Sequence, residues 1–217
     1  MAAERQSEFW ESCRFYKPPW DPVPSAFVRP KLELIARCCE VGRGSTILDV
    51  GCGNGTFTYH WRQLADNTVG VDFSRNMLAM HGADFRSVQG DALRLPFPDG
   101  AFEVVFESAL LHHVPEPLLA AKEMRRVASR CVAFVEPNAL NPGQVFHSLC
   151  WPAERQGLRF TLWYLCDLAR RAGLRILARQ STGAVYERRT PEALLPLLRK
   201  LDAPFPFAAY NVVVCCK

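Results

Sequence analysis

The chain has 217 residues, a formal net charge of +4, 49% hydrophobic residues and nine cysteines. That length suits one α/β domain with a sizeable core, so 1–217 is read as a single unit, and the charge is too small to argue for a nucleic-acid partner. The cysteines form no C-x-x-C pair, so neither a disulfide framework nor a metal site is expected, and reduced thiols fit a cytoplasmic location.

Met1 to Glu8 is polar and lacks the apolar core of a signal peptide, and no run reaches the ~18 apolar residues of a membrane span. A cytoplasmic protein without membrane insertion, monomer or homodimer, is the expectation. Phe15 to Pro24, rich in aromatic residues and proline, reads as an arm, and Phe27 to Cys39 as a helix, so residues 1–40 form an N-terminal cap. Apolar runs bounded by turn residues then alternate with helical patterns. This predicts a parallel sheet with helices on both faces. The strands are Thr46–Val50, Thr68–Asp72, Phe85–Gln89, Glu103–Glu107, Cys131–Glu136 (stopped by Pro137), Leu174–Ala178 and Tyr210–Cys216. The helices are Thr56–Leu64, Pro117–Val127 with Leu118, Ala121, Met124 and Arg125 inward, Thr161–Ala172 stopped by Gly173, and Pro191–Leu201. The long stretch 138–160 carries Phe146, Leu149, Trp151 and Phe160 and is expected to be a packed cap.

The strongest local signal is Ile47-Leu-Asp-Val-Gly-Cys-Gly-Asn-Gly55, a buried strand running into glycines at every second position. Glycine permits a sharp turn and the close approach of a ligand, and the carboxyl end of a parallel strand is where open α/β sheets bind ligands. Asp72 ends the next strand about 20 residues on, where a carboxylate can accept both ribose hydroxyls. A dinucleotide-binding dehydrogenase fits these two features as well. Three details shift the balance. The spacing is G-x-G-x-G rather than G-x-G-x-x-G. Asp49 precedes the loop, where it would repel a pyrophosphate but can support the loop or reach a cationic amine. Asp91 follows the third strand, placed to accept from an adenine amino group. Adenine, ribose and a cationic amino-acid tail match all three.

These motifs, with Val69-Gly-Val-Asp-Phe-Ser74, Gly90-Asp-Ala-Leu-Arg-Leu-Pro-Phe-Pro-Asp-Gly-Ala-Phe-Glu-Val-Val105 and Leu110-Leu-His-His-Val114, resemble the class I methyltransferases, in their small-molecule (type 11) branch, from about Leu32 to the C-terminus. The resemblance implies a Rossmann-like seven-stranded sheet of order 3-2-1-4-5-7-6 with the last strand antiparallel, and S-adenosylmethionine as cofactor. It implies that Gly51, Cys52, Gly53 and Gly55 line the methionine part, with Asp49 supporting the loop. Asp72 takes the ribose, Phe73 packs on the adenine, Asp91 and Ala92 hold it, and Glu107 sits near the amino-acid end.

His112 and His113 lie just past the fourth strand, where the methyl group should point, and an imidazole can act as base or orienter near neutral pH. His113, further along, is the better candidate, while covering the cofactor is the plain alternative. Tyr16, Trp20, Asn138 and Trp151 are candidates to meet a substrate, though core packing or loop fixing explains each as well. Asn-Pro-Pro-aromatic and Pro-Cys motifs after strand four are absent, and no appended RNA-binding domain fits this length. A small-molecule acceptor is expected, with O-methylation ahead of C-methylation of a quinone. A non-catalytic binding protein on the same fold is the other reading.

Overall fold

The structure, a computed structural model, describes residues 17–81, 85–187 and 190–217, the Leu201 side chain excepted. Tyr16 and most of the N-terminal arm lie outside the described residues. The elements run α1 (Pro22–Cys38), β1 (Thr46–Val50), α2 (Thr56–Arg62), β2 (Asn67–Asp72), α3 (Arg75–Ala79), β3 (Ser87–Gln89), β4 (Phe102–Ser108), α4 (Pro117–Val127), β5 (Ala128–Pro137), α5 (Pro142–Cys150), a 3-10 segment (Pro152–Arg159), α6 (Leu162–Arg171), β6 (Arg175–Thr182), α7 (Leu195–Leu198) and β7 (Tyr210–Cys216). The seven strands form one sheet in the order β3-β2-β1-β4-β5-β7-β6. β1 pairs in parallel with both β2 and β4, and β7 is antiparallel to both β5 and β6. The predicted sheet is therefore the observed one.

Alternation along the strands divides the core between the two faces. In β5, Cys131, Ala133 and Val135 join Phe27, Ile35, Ile47 and Trp61 beneath α1 and α2. Val132 and Phe134 face the other way and pack with Met124, Leu165 and Ala169 of α4 and α6. Phe102 sits on the α4 side although Val104 and Phe106 face α1, because the β4–β5 register shifts between Phe102 and Val104. α6 is capped by Thr161, whose hydroxyl accepts the Tyr164 N–H at 3.2 Å, and it stops at Gly173, held at φ +82°.

Four expectations need correction. α1 begins five residues earlier than Phe27, at Pro22, whose fixed φ suits a first helical turn. The inner face of α4 is Ala120, Ala121, Met124 and Val127; Leu118 and Arg125 sit at its margins. The helix read over Pro191–Leu201 is two 3-10 turns around a single α turn, because Pro196 has no N–H to continue a helix and fits only near a fresh start. The 138–160 stretch folds as α5 and the 3-10 segment, but of its four apolar residues named above only Phe160 is buried. Phe146, Leu149 and Trp151 are 67%, 59% and 44% exposed.

Candidate functional site

β1 lies between β2 and β4, so the chain leaves it in one direction for β2 and β3 and returns to its other side as β4. The crevice at that reversal is where such sheets open, and a cavity of about 380 Å³ lies there. Its floor is the glycine loop. Gly51, Gly53 and Gly55 have φ of +69°, +53° and +84°, a region that side-chain-bearing residues rarely occupy. A Cβ on Gly51 would come 2.9 Å from Leu110 Cδ1, so the turn is also tight in space.

Asp72 holds this loop from the end of β2. Its Oδ2 accepts the Gly53 N–H at 2.8 Å and its Oδ1 accepts the Ser74 N–H at 2.8 Å. Asp49 lies under the loop, where its Oδ2 accepts the Thr58 hydroxyl of α2 at 2.6 Å. Burial pushes its carboxyl up to about 7, against the pull of that hydroxyl, and the nearby Asp72 charge adds to the rise. His81 was missed in the sequence: its Nε2–H donates to the Gly53 carbonyl at 2.6 Å and fixes the far side of the loop.

Phe73, Asp91, Ala92 and Leu93 wall one end of the cavity. Phe73 is 55% exposed with its ring free of core packing, as a base-stacking face must be. Asp91 Oδ1 accepts the Leu93 N–H at 2.9 Å, which sets the turn. The opposite end is walled by Phe27, Phe57, Tyr210, Glu187 and His113. The first four were not foreseen, since α1, α2, β7 and the loop after β6 meet only in the fold. Burial raises the Glu187 carboxyl above its ordinary range, with the Thr56 hydroxyl and Lys31 opposing. The residues present thus offer an end with an exposed aromatic face beside Asp91, a glycine-rich loop braced by Asp72, and an apolar end carrying two polar groups.

Residues 48–132 match the family model described as "Methyltransferase domain". The matched segment takes in less than half of the chain. Curated relatives include demethylmenaquinone methyltransferases of Bacillus licheniformis, 40% identical over 97 residues, and of Staphylococcus carnosus, 34% identical over 102 residues. These alignments take in 41% and 43% of this chain, and each spans 42% of the relative's length. Solved structures with the same fold include a methyltransferase from Aquifex aeolicus (15% identity, TM-score 0.64, covering 99% of this chain and 97% of that one). A Thermotoga maritima protein described as a possible histamine N-methyltransferase aligns at 18% identity and TM-score 0.68, over 91% of this chain and 92% of that one. The fold also matches SpnF, described as a [4+2]-cyclase (18% identity, TM-score 0.66, over 99% of this chain and 96% of that one).

Several foreseen residues fall outside the cavity. Glu107 does not wall the cavity. Fully buried, its Oε2 accepts the Leu110 N–H at 3.1 Å and its Oε1 the Val135 N–H at 3.1 Å, so it braces the turn after β4 from beneath. Burial and the adjacent Glu136 raise its carboxyl well above the usual range. His112 also turns away from the cavity. Its Nδ1 donates to Glu136 Oε2 at 2.6 Å, and its Nε2 lies 3.3 Å from Glu154 Oε2. Burial opposes its protonation, but the two carboxylates win and lift it to about 9. With both nitrogens committed to carboxylates, it is no base for an acceptor. His113 does reach the cavity, and burial and the His112 charge lower it to about 3, so it presents a neutral ring.

Of the candidate substrate residues, Trp20, Asn138 and Trp151 lie among the described residues, and none of the three walls the cavity. Asn138 is fully buried and donates to the Pro206 and Ala208 carbonyls at 2.8 and 2.9 Å, tying β5 to the segment before β7. Trp20 is 63% exposed and tilts against Tyr59, and Trp151 leans on His147. Neither walls the cavity, and the 138–160 segment sends Glu154 to the two histidines rather than a lid over the opening.

Proposed function

We propose that the protein is an S-adenosylmethionine-dependent methyltransferase, acting as one unit, that methylates a small, partly apolar acceptor. The observation that carries this is the Asp72–Gly53 hydrogen bond at the floor of a cavity running from Phe73 to Tyr210. One carboxylate there both shapes the glycine-rich loop and offers oxygens to a ribose. In this reading Phe73, Asp91 and Ala92 take the adenine, Asp72 takes the ribose hydroxyls, and Asp49 with the glycine loop meets the amino-acid end. The matched family segment covers these positions.

The cofactor supplies a methyl group on a sulfonium, already activated for displacement. The protein's part is to align the acceptor and keep water out. Phe27, Phe57 and Tyr210 give the acceptor end an apolar wall, while His113 and Glu187 supply its polar contacts. A neutral His113 accepts or donates one hydrogen bond and orients the acceptor, and Glu187 receives a proton or anchors a hydroxyl. An oxygen acceptor suits these two groups. The relatives' names support a second reading, a quinone-type carbon acceptor, which the same apolar wall would hold. Incubation with tritiated S-adenosylmethionine and panels of phenols, hydroxy-metabolites and demethylated quinones tests the choice. Label on a hydroxyl supports the first reading and label on a quinone ring carbon the second; no transfer to any acceptor by protein that binds the cofactor favours a non-catalytic binding protein.

A further inference from the structure

We propose that His112, His113 and Glu154 form a binding site for a divalent transition-metal ion, zinc by its donor set, beside the acceptor end of the cavity. The three side chains come from the turn after β4 and from the 3-10 segment, so no spacing in the sequence announces them. One ligand atom from each lies within 4.8 Å of the others. His112 Nε2 is 3.3 Å from Glu154 Oε2, and His113 Nε2 is 4.0 Å from Glu154 Oε1. Metal–ligand bonds of about 2.0–2.1 Å in a tetrahedron place neighbouring ligands about 3.3 Å apart, so the trio needs only small side-chain rotations to close on an ion.

The surroundings are those of a built site. Glu136 accepts from His112 Nδ1 at 2.6 Å, which leaves Nε2 directed at Glu154 and matches the carboxylate–histidine–metal arrangement. Glu136 is itself fixed, since its Oε1 accepts the Leu111 N–H at 2.6 Å. The side chains of His112, His113 and Glu154 are only 1%, 10% and 21% exposed. Charge completes the case. Two carboxylates, Glu136 and Glu154, flank the imidazoles, so a cation held between the rings meets opposite charge on both sides. Two imidazoles and a carboxylate suit zinc better than magnesium or calcium. Three protein ligands leave a fourth position, and His113 is shared between the trio and the cavity wall. An ion here would bind and acidify an acceptor hydroxyl. That last clause rests on the methyltransferase reading, whereas the metal site does not.

The test is titration of the metal-stripped full chain with cobalt(II). The expected result is one equivalent bound, with the visible absorption of a low-coordinate site, no near-ultraviolet thiolate band, and displacement by zinc. Glu154→Gln, at a partly exposed position, should weaken cobalt binding at least ~10-fold, and Glu136→Gln about 10–100-fold through His112. Anomalous scattering at the zinc edge from wild-type crystals locates the ion without relying on any variant. No stoichiometric binding, a thiolate band from the cysteines, or an anomalous peak away from His113 overturns the proposal. Titration of the same metal-free protein with S-adenosylhomocysteine separates the two readings. Binding of the nucleoside without cobalt sinks the metal site alone, and cobalt without the nucleoside sinks the cofactor assignment alone.

Discussion

The Asp72 carboxylate at the end of β2 accepts the Gly53 amide at 2.8 Å, so the residue proposed to read the ribose is also the strut of the loop beneath it. Asp72→Ala removes both roles, and affinity for S-adenosylhomocysteine should fall by about 1.5–3 kcal/mol by calorimetric titration. Asp72→Asn keeps one acceptor oxygen and should lose less. Wild-type affinity in Asp72→Ala would rule out the ribose role.

Asp49 makes cofactor binding depend on pH. Its carboxyl is raised to about 7 by burial, and an ionised form is needed to attract the cationic amino-acid end. Binding therefore expels a proton, so affinity should climb as pH rises toward 7 and level off above it. Titrations in buffers of different ionisation enthalpy report the released proton, and Asp49→Asn should show neither the release nor the slope.

The same shift bears on stability without ligand. The native state keeps the Asp49 proton to about 7 while the unfolded chain loses it near 3.8. Protons are thus bound more by the native state in that window, and the contribution, fully present below 3.8, is lost as pH rises through 7. Measured by urea unfolding, wild type relative to Asp49→Asn should lose up to about 4 kcal/mol between pH 4 and pH 8. A pH-independent difference would contradict the assignment.

Glu136 supports the turn that carries His113. Both its oxygens are in use, by the Leu111 amide and by His112 Nδ1, at full burial. Glu136→Ala leaves the buried Leu111 amide and His112 Nδ1 without their acceptor, and should cost about 3–5 kcal/mol in denaturant unfolding. A loss below ~1 kcal/mol would show the pair to be dispensable.

Gly51 tests the loop's backbone rather than its charges. At φ +69° an alanine is strained, and its Cβ would push on the flexible Leu110 side chain. Gly51→Ala should lose about 1–2 kcal/mol of stability and weaken nucleoside binding as well. Retained affinity would mean that the ligand does not approach this turn.

What the sequence disclosed was what sits close together along it. The glycine loop, Asp72, the Phe73–Ala92 end and the strands carry their own periodicity or turn chemistry, and the strand order follows the expected one. β6 was read short because Arg179 and Gln180 break its apolar run, yet an edge strand tolerates such residues. The acceptor end was not legible: Phe27, Phe57, Glu187 and Tyr210 are scattered along the chain and converge only when α1 packs against α2 and β7. The direction of Glu107 was misread for a related reason. Alternation fixes which face a strand residue takes, but at the strand's end the following turn decides, and here the Leu110 amide draws the carboxyl inward.

The most direct test of the account is calorimetric titration of the purified chain with S-adenosylhomocysteine and, separately, with NAD. The account predicts one equivalent of S-adenosylhomocysteine bound and no response to NAD. Saturable NAD binding with no heat from S-adenosylhomocysteine would contradict it.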